Sequence, residues 1–300
     1  MKYFVLLLSV FAVSYLYGID VAGHLHEDTV WSADNNPYHV IGDITVEENV
    51  TLTIEPGVEV LMKSKRMFDN EDFCNNAYLL IPDHTGNIFV YGELITIGTE
   101  TDSIRFTKDV DSLYYHWGVI RIFNEESKTE FRHCHIEHSS RSWTFGYDYP
   151  GAITTNSFDT IIEDSYFFNN FSDVYTEGEN PERRKFVQNC RFYSELEGVG
   201  YYFGNNSGGY SLNMGEGVYF NNYFEGKYIN IFGIIAYNQF VERYRLGTGG
   251  YPGYIYRNDF GSGYGFMEGM REIYFGEDGG VLADNLLENM VEIDIEASQE

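Results

Sequence analysis

Imidazole and carboxylate side chains crowd one short stretch of the chain. His133, Cys134, His135, Ile136, Glu137 and His138 are consecutive. In an extended strand, residues two apart share a face, so His133 and His135 could grip zinc or copper as a bidentate pair. The spacing supplies no third ligand, and two imidazoles alone hold a metal weakly. A second reading puts His133 at a bend, with His135 and Glu137 facing solvent around buried Cys134 and Ile136. Similar strings favour it: Asp164-Ser165-Tyr166-Phe167 and Asn189-Cys190-Arg191-Phe192 carry Asp or Asn where this stretch carries His133. No metal ligand is assigned.

Asp69-Asn70-Glu71-Asp72 could hold calcium through carboxylate oxygens. It lacks the glycine and spacing of an EF-hand loop and reads as a solvated acidic loop, as does Asp109-Val110-Asp111. Calcium stays open, and no cofactor-binding residue is assigned. Tyr201, Tyr202, Tyr210, Tyr219, Tyr251, Tyr254 and Tyr256 could line a sugar-binding surface through their ring faces. Their spacing does not put them on one face, so they read as residues that decorate and stiffen strands.

The 300 residues carry 46 Asp and Glu against 19 Lys and Arg, a net charge of -27. Nucleic-acid backbones and anionic membrane surfaces are excluded as partners, since both need a basic face. Hydrophobic residues make up 43% and aromatics 17%, so the chain can build a packed core and disorder is not indicated. Abundant Gly (31), Tyr (26) and Phe (23) suit strands joined by tight turns.

Lys2 precedes an apolar run from Tyr3 to Tyr17, which has the shape of a signal peptide with cleavage after Ser14 or Gly18. The expected division is therefore 1–18 as a signal peptide and 19–300 as a single domain. Export would favour disulfides, yet Cys74, Cys134 and Cys190 do not form a disulfide framework or a zinc spacing. Cys134 and Cys190 read as small buried residues two coils apart. No later segment is long and apolar enough for a membrane helix, so no membrane insertion is expected after cleavage.

The elements that must position these groups are strands. Ile44 and Val46, then Val50, Leu52 and Ile54, then Val58, Val60 and Met62 alternate with polar residues. Glu47-Glu48-Asn49 and Pro56-Gly57 separate these period-2 runs, and neither is a hairpin turn. Three strands per turn fits a coil of a parallel β-helix. The later chain repeats weakly, with apolar anchors at 136, 167, 192, 224, 240, 260 and 287, averaging about 25 residues apart. Asn or Asp two or three residues before these anchors would occupy left-handed bends and bond to its equivalent one coil away, while Phe stacks inward on Phe. Longer steps would carry loops, near 63–87, 173–185 and 198–217. The expected fold is all-β, a single-stranded right-handed parallel β-helix of about ten coils.

Val50-Thr-Leu-Thr-Ile-Glu-Pro-Gly-Val-Glu-Val60 resembles the opening coil of bacterial secreted right-handed parallel β-helix proteins of the pectin-lyase-like superfamily. Val90-Tyr-Gly-Glu-Leu-Ile-Thr-Ile97 and onward to Thr107, Trp117-Gly-Val-Ile120, Phe131 to His138, and Ile162 to Asn170 continue that resemblance. It implies a fold shared by polysaccharide lyases, glycoside hydrolases and surface proteins, so it does not by itself imply one activity. The Asn-Thr-Asp, Asp-Asp and Gly-His-Gly signatures of polygalacturonase-type hydrolases do not occur; Gly23-His24-Leu25-His26-Glu27 does not match them. Calcium-dependent lyases use an Arg base beside acidic ligands, and no motif marks Arg105, Arg121 or Arg132 as one. No catalytic residue is assigned. The expected function is that of an exported, non-enzymatic, adhesin-like surface protein, extracellular or periplasmic, that binds glycan or protein. The alternative is a polysaccharide lyase or glycoside hydrolase of that superfamily.

Overall fold

A computed structural model describes residues 18–66, 85–112 and 115–140, and most of 142–295. Within that last span it leaves out 145–146, 150, 171, 177–184, 194, 199–200, 208–210, 226–227, 241–243, 248–252, 261–270, 276–279, 284 and 288–291. The proposed signal segment up to residue 17 and the Asp69–Asp72 loop lie outside the described residues.

Successive coils of a parallel β-helix stack in register. One coil consists of Ile88–Val90, Glu93–Ile97 and Ile104–Lys108, which pair in parallel with Ile120–Ile122, Lys128–Arg132 and Cys134–Glu137 of the next. These strands belong to three faces. The first runs through 44–46, Ile88–Val90 and Ile120–Ile122, the second through Thr51–Ile54 and Glu93–Ile97, the third through Glu59–Met62 and Ile104–Lys108. Parallel pairing continues on all three, to Glu292–Ile295, Gly280–Ala283 and Leu286–Leu287.

Alternation fills the interior. Leu52, Ile54, Val60 and Met62 point inward and are buried, while Thr51, Thr53, Glu59 and Leu61 between them are half-exposed. Phe167 stacks on Phe192 with centroids 4.8 Å apart, and Phe224 on Phe240 at 5.2 Å. Burying each such ring contributes about 1.5–3 kcal/mol. Gly92 marks one tight corner, where an added Cβ would stand 2.1 Å from the carbonyl oxygen of Val50.

The corner between the second and third faces divides between two residues the tasks that the sequence pattern assigns to one. His133, Asp164, Asn189, Asn221, Tyr237 and Arg257 adopt left-handed backbone, with φ between 49° and 58°. The residue after each points inward. From Asn205 onward this inner position is asparagine in every coil, at 205, 222, 238, 258 and 285. From Asn222 on, each Oδ1 accepts from the backbone N–H and side-chain amide of the preceding asparagine.

Two expectations about loops are corrected. The span 198–217 is not a loop: Tyr201–Phe203, Asn206–Ser207 and Ser211–Phe220 are strands. They include a whole coil hidden in the long step from Phe192 to Phe224, because Ser207 occupies the register where neighbouring coils place Phe. Of the expected loop at 173–185, residues 173–176 belong to the first-face strand Ser172–Thr176, and 177–184 lie outside the described residues. Of the loop expected near 63–87, residues 67–84 lie outside the described residues, and Lys65–Arg66 pairs antiparallel to Tyr115–His116 in a sheet separate from the coils. A further antiparallel pair, Ser142–Thr144 with Tyr147–Tyr149, has no counterpart in the sequence pattern.

Cys134 and Cys190 occupy the inner corner position two coils apart, with Ser165 between them. Both are free and buried, and burial pushes each thiol up to about 12.

Candidate functional site

The sequence candidates are scattered by the fold. His133 sits at the left-handed bend, 3.9 Å from a carboxylate oxygen of Asp164. His135 lies outward on the third face with its ring 5.4 Å from that of Tyr166. His138 occupies another left-handed bend, where its Nδ1 meets the Asn169 amide at 2.8 Å. Burial pushes its imidazole down to about 4. Among the described residues no group of three or more His, Cys, Asp or Glu is gathered as metal ligands. Glu137 departs from the expectation that it faces solvent. It is buried, because Arg105 folds over it and donates through Nε at 3.2 Å and Nη2 at 2.8 Å.

The three arginines are each engaged. Arg105 also pairs with Glu59, and the hydrogen bond to Glu137 raises its pKa above the ordinary arginine value. That is the opposite of what a general base needs. Arg132 joins Glu163 and Glu130 on the second face, where Lys128 also bonds Glu130 at 2.7 Å. Lys128 and Arg132 hold the Glu130 carboxyl below its ordinary value. Arg121 is buried on the first face, donating to Asn156 at 3.1 Å with its guanidinium 4.9 Å from the Phe123 ring centroid.

The tyrosines divide between inside and outside, consistent with their not sharing a face. Tyr202 and Tyr219 are core residues stacked at 5.3 Å. Tyr201 lies outside against Phe186 at 5.3 Å, and Tyr254 is exposed. Tyr210 and Tyr251 lie outside the described residues. The exterior rings of Phe186, Tyr201 and Phe203 stack on one another, Phe186 on Tyr201 between coils and Tyr201 on Phe203 along one strand.

A cleft of about 680 Å³ opens on the first face near the N-terminal end of the described β-helix. Its position follows from side-chain size along the axis. Residues 23–25 align with 44–46, and these with Ile88–Val90. The outward residues of the first two coils are His24, Thr45 and Glu47, none of which builds an apolar layer on this face. In the third coil they become Phe89 and Tyr91, which pack with Val119 and Phe123 into a small apolar cluster on the outside of the sheet. The cleft lies where this raised layer begins. Phe123 stacks on Tyr91 with centroids 4.6 Å apart and planes 5° apart. One face of Tyr91 is thus covered, and the other is the face available to the cleft.

Polar groups make up much of the rest of the lining. His24 bonds Glu47 at 2.5 Å, and the His24 and His26 rings lie parallel at 5.9 Å. Asp43 accepts from the side-chain amide of buried Asn87 at 2.8 Å, while Asn87 Oδ1 accepts from the backbone of Val119. Glu48 completes the carboxylate rim. Lysine and arginine are absent from the lining among the described residues.

Sequence reasoning considers Gly23-His24-Leu25-His26-Glu27 only as a failed catalytic motif and misses this site. The available signal is the change from Thr45 and Glu47 to Phe89 and Tyr91 at outward positions.

Comparison with protein-family models, with curated proteins and with solved structures gives no match.

Proposed function

We propose that this protein is an exported, pectin-lyase-like β-helix that acts by binding, and that it holds a glycan in the first-face cleft. The observation that carries this reading is the Tyr91 ring: backed by Phe123 on one side, open to a polar cleft on the other. A rigid aromatic face beside hydrogen-bonding groups suits a sugar, which has one apolar face and a rim of hydroxyls. Export rests on the Lys2 to Tyr17 segment. The charge of -27 argues against nucleic acid as a partner.

Binding is favoured over catalysis by how the charged groups are distributed. Arg105 and its carboxylates lie on the third face, Arg132 and Lys128 with theirs on the second, and the cleft carboxylates on the first.

The test incubates the full chain with insoluble polysaccharides and follows retention, new reducing ends and unsaturated-product absorbance together. Retention without cleavage, reduced by Tyr91→Ala, is expected. Chain cleavage would replace binding by the lyase or hydrolase alternative, and retention unchanged by Tyr91→Ala would move the site elsewhere.

A further inference from the structure

We infer that the ligand of the first-face cleft carries a positive charge: an amine-bearing glycan, rather than a neutral sugar polymer or a polyuronate. This rests on the glycan reading above and narrows it. Asp43, Glu47 and Glu48 rim a cleft whose lining contains no lysine or arginine among the described residues. Their fields add within a concave site walled by the buried Phe89 and by Tyr91, where low-dielectric walls focus potential. The rest of an acidic chain reinforces that potential. A uronate would enter against it.

Two features make this more than surface acidity. The carboxylates share the cleft with an aromatic ring, and an ammonium over a tyrosine face gains a cation–π attraction that a neutral hydroxyl does not. Asp43 is also held in place by Asn87, which is buried and tied to the Val119 backbone, so one anionic wall of the cleft is fixed from behind. Elsewhere the carboxylates of Glu59, Glu137, Glu130 and Glu163 are already matched to Arg or Lys. In the cleft, Glu47 meets an imidazole and Asp43 an amide, and neither group contributes a permanent positive charge.

The probes are soluble glucosamine oligomers, their N-acetylated counterparts of equal length, and oligogalacturonate, titrated into the full chain by calorimetry at about pH 7, where the amine still carries charge. Binding of the free-amine oligomer at least about tenfold tighter than the N-acetylated one is expected, with oligogalacturonate weaker still. Because any acidic protein attracts a cation, two charge-matched variants separate the cleft from the bulk surface. Glu47→Gln with Glu48→Gln should weaken the free-amine oligomer by about tenfold or more, and Glu100→Gln with Glu126→Gln by less than about twofold. Both are first checked for the parent's circular dichroism and urea midpoint. Equal losses in the two variants would overturn the inference. Equal binding of amine and N-acetyl oligomers, both lost in Tyr91→Ala, would overturn it while leaving the glycan reading intact. Binding of no oligomer would overturn both.

Discussion

Asn222 receives two hydrogen bonds from Asn205 on a single oxygen: its Oδ1 accepts the Asn205 backbone N–H at 2.9 Å and the Asn205 side-chain amide at 3.0 Å. Its own amide passes the pattern on to Asn238 and bonds the Tyr202 carbonyl. An inward polar residue is thereby fully paired in the core. Replacing it by alanine orphans the buried N–H of Asn205 and cuts the ladder in its middle. Asn222→Ala should cost about 2–4 kcal/mol in urea unfolding. Asn222→Asp keeps the acceptor and loses the donors, so it should also destabilise. A loss under about 0.5 kcal/mol for the alanine variant would mean that water restores the ladder.

The ladder starts abruptly. Asn205 Oδ1 accepts the Cys190 backbone N–H at 2.9 Å, and earlier along the axis Ser165 Oγ accepts that of Cys134 at 3.1 Å. The thiols therefore hold an inner structural position and are raised to about 12 by burial. Thiolate is the reactive form. In a Cys74→Ser background, a thiol reagent should find no reactive sulfur in the folded chain and both after unfolding in urea. Reaction of either in the folded chain would contradict their burial.

His138 links stability to acidity. Its folded value, about 4, lies below the ordinary histidine value of about 6.5. The folded state thus favours the neutral ring. The contribution is fully present above about pH 6.5 and is lost as pH falls from there toward 4, on the order of 2 kcal/mol. Asparagine suits the left-handed backbone here, as Asn169 does one coil later. His138→Asn should flatten the stability curve across that range relative to the parent. Parallel curves would show that His138 does not carry the effect.

Glu130 acts in the same pH direction at a lower range. Bonded by Lys128 and Arg132, it has a folded value below its ordinary one. Its contribution is present above the unfolded carboxylate value and declines as pH falls through the folded value. Glu130→Gln should lower the urea midpoint near neutral pH, and the gap to the parent should narrow in acid. A gap that is constant with pH would assign the loss to packing alone.

His133 tests the metal alternative raised by the consecutive histidines. It is a left-handed residue with φ of 50° beside Asp164. His133→Asn should leave zinc binding unchanged by isothermal titration and alter stability by less than about 1 kcal/mol, since asparagine tolerates that backbone. A large loss of zinc affinity would restore the His133–His135 pair as ligands.

Much of the architecture is legible because its signals are local. Alternation across Ile44 to Met62 reports strands whose partners are the next coils, and the Phe167 and Phe192 strings report a repeated corner. His133 can be placed at that corner by analogy with Asp164 and Asn189, since backbone handedness is a property of single residues. Other features depend on coil length and stacking register, which no local window contains. Ser207 conceals a coil because the anchor there is not aromatic. Tyr237 and Arg257 take the left-handed role while the following Asn238 and Asn258 take the ladder, a division set by which residue faces inward. Glu137 is buried only because Arg105, 32 residues earlier, stands one coil away. The cleft is likewise nonlocal. Gly23 aligns with Ile44 and Ile44 with Ile88, so the first two steps along this face span 21 and 44 residues. His24, Glu47 and Tyr91 come to line one cleft through those unequal steps. Residue types thus determined strands, corners and a charged exterior, while tertiary stacking decided which charges were neutralised and which remained around an open ring.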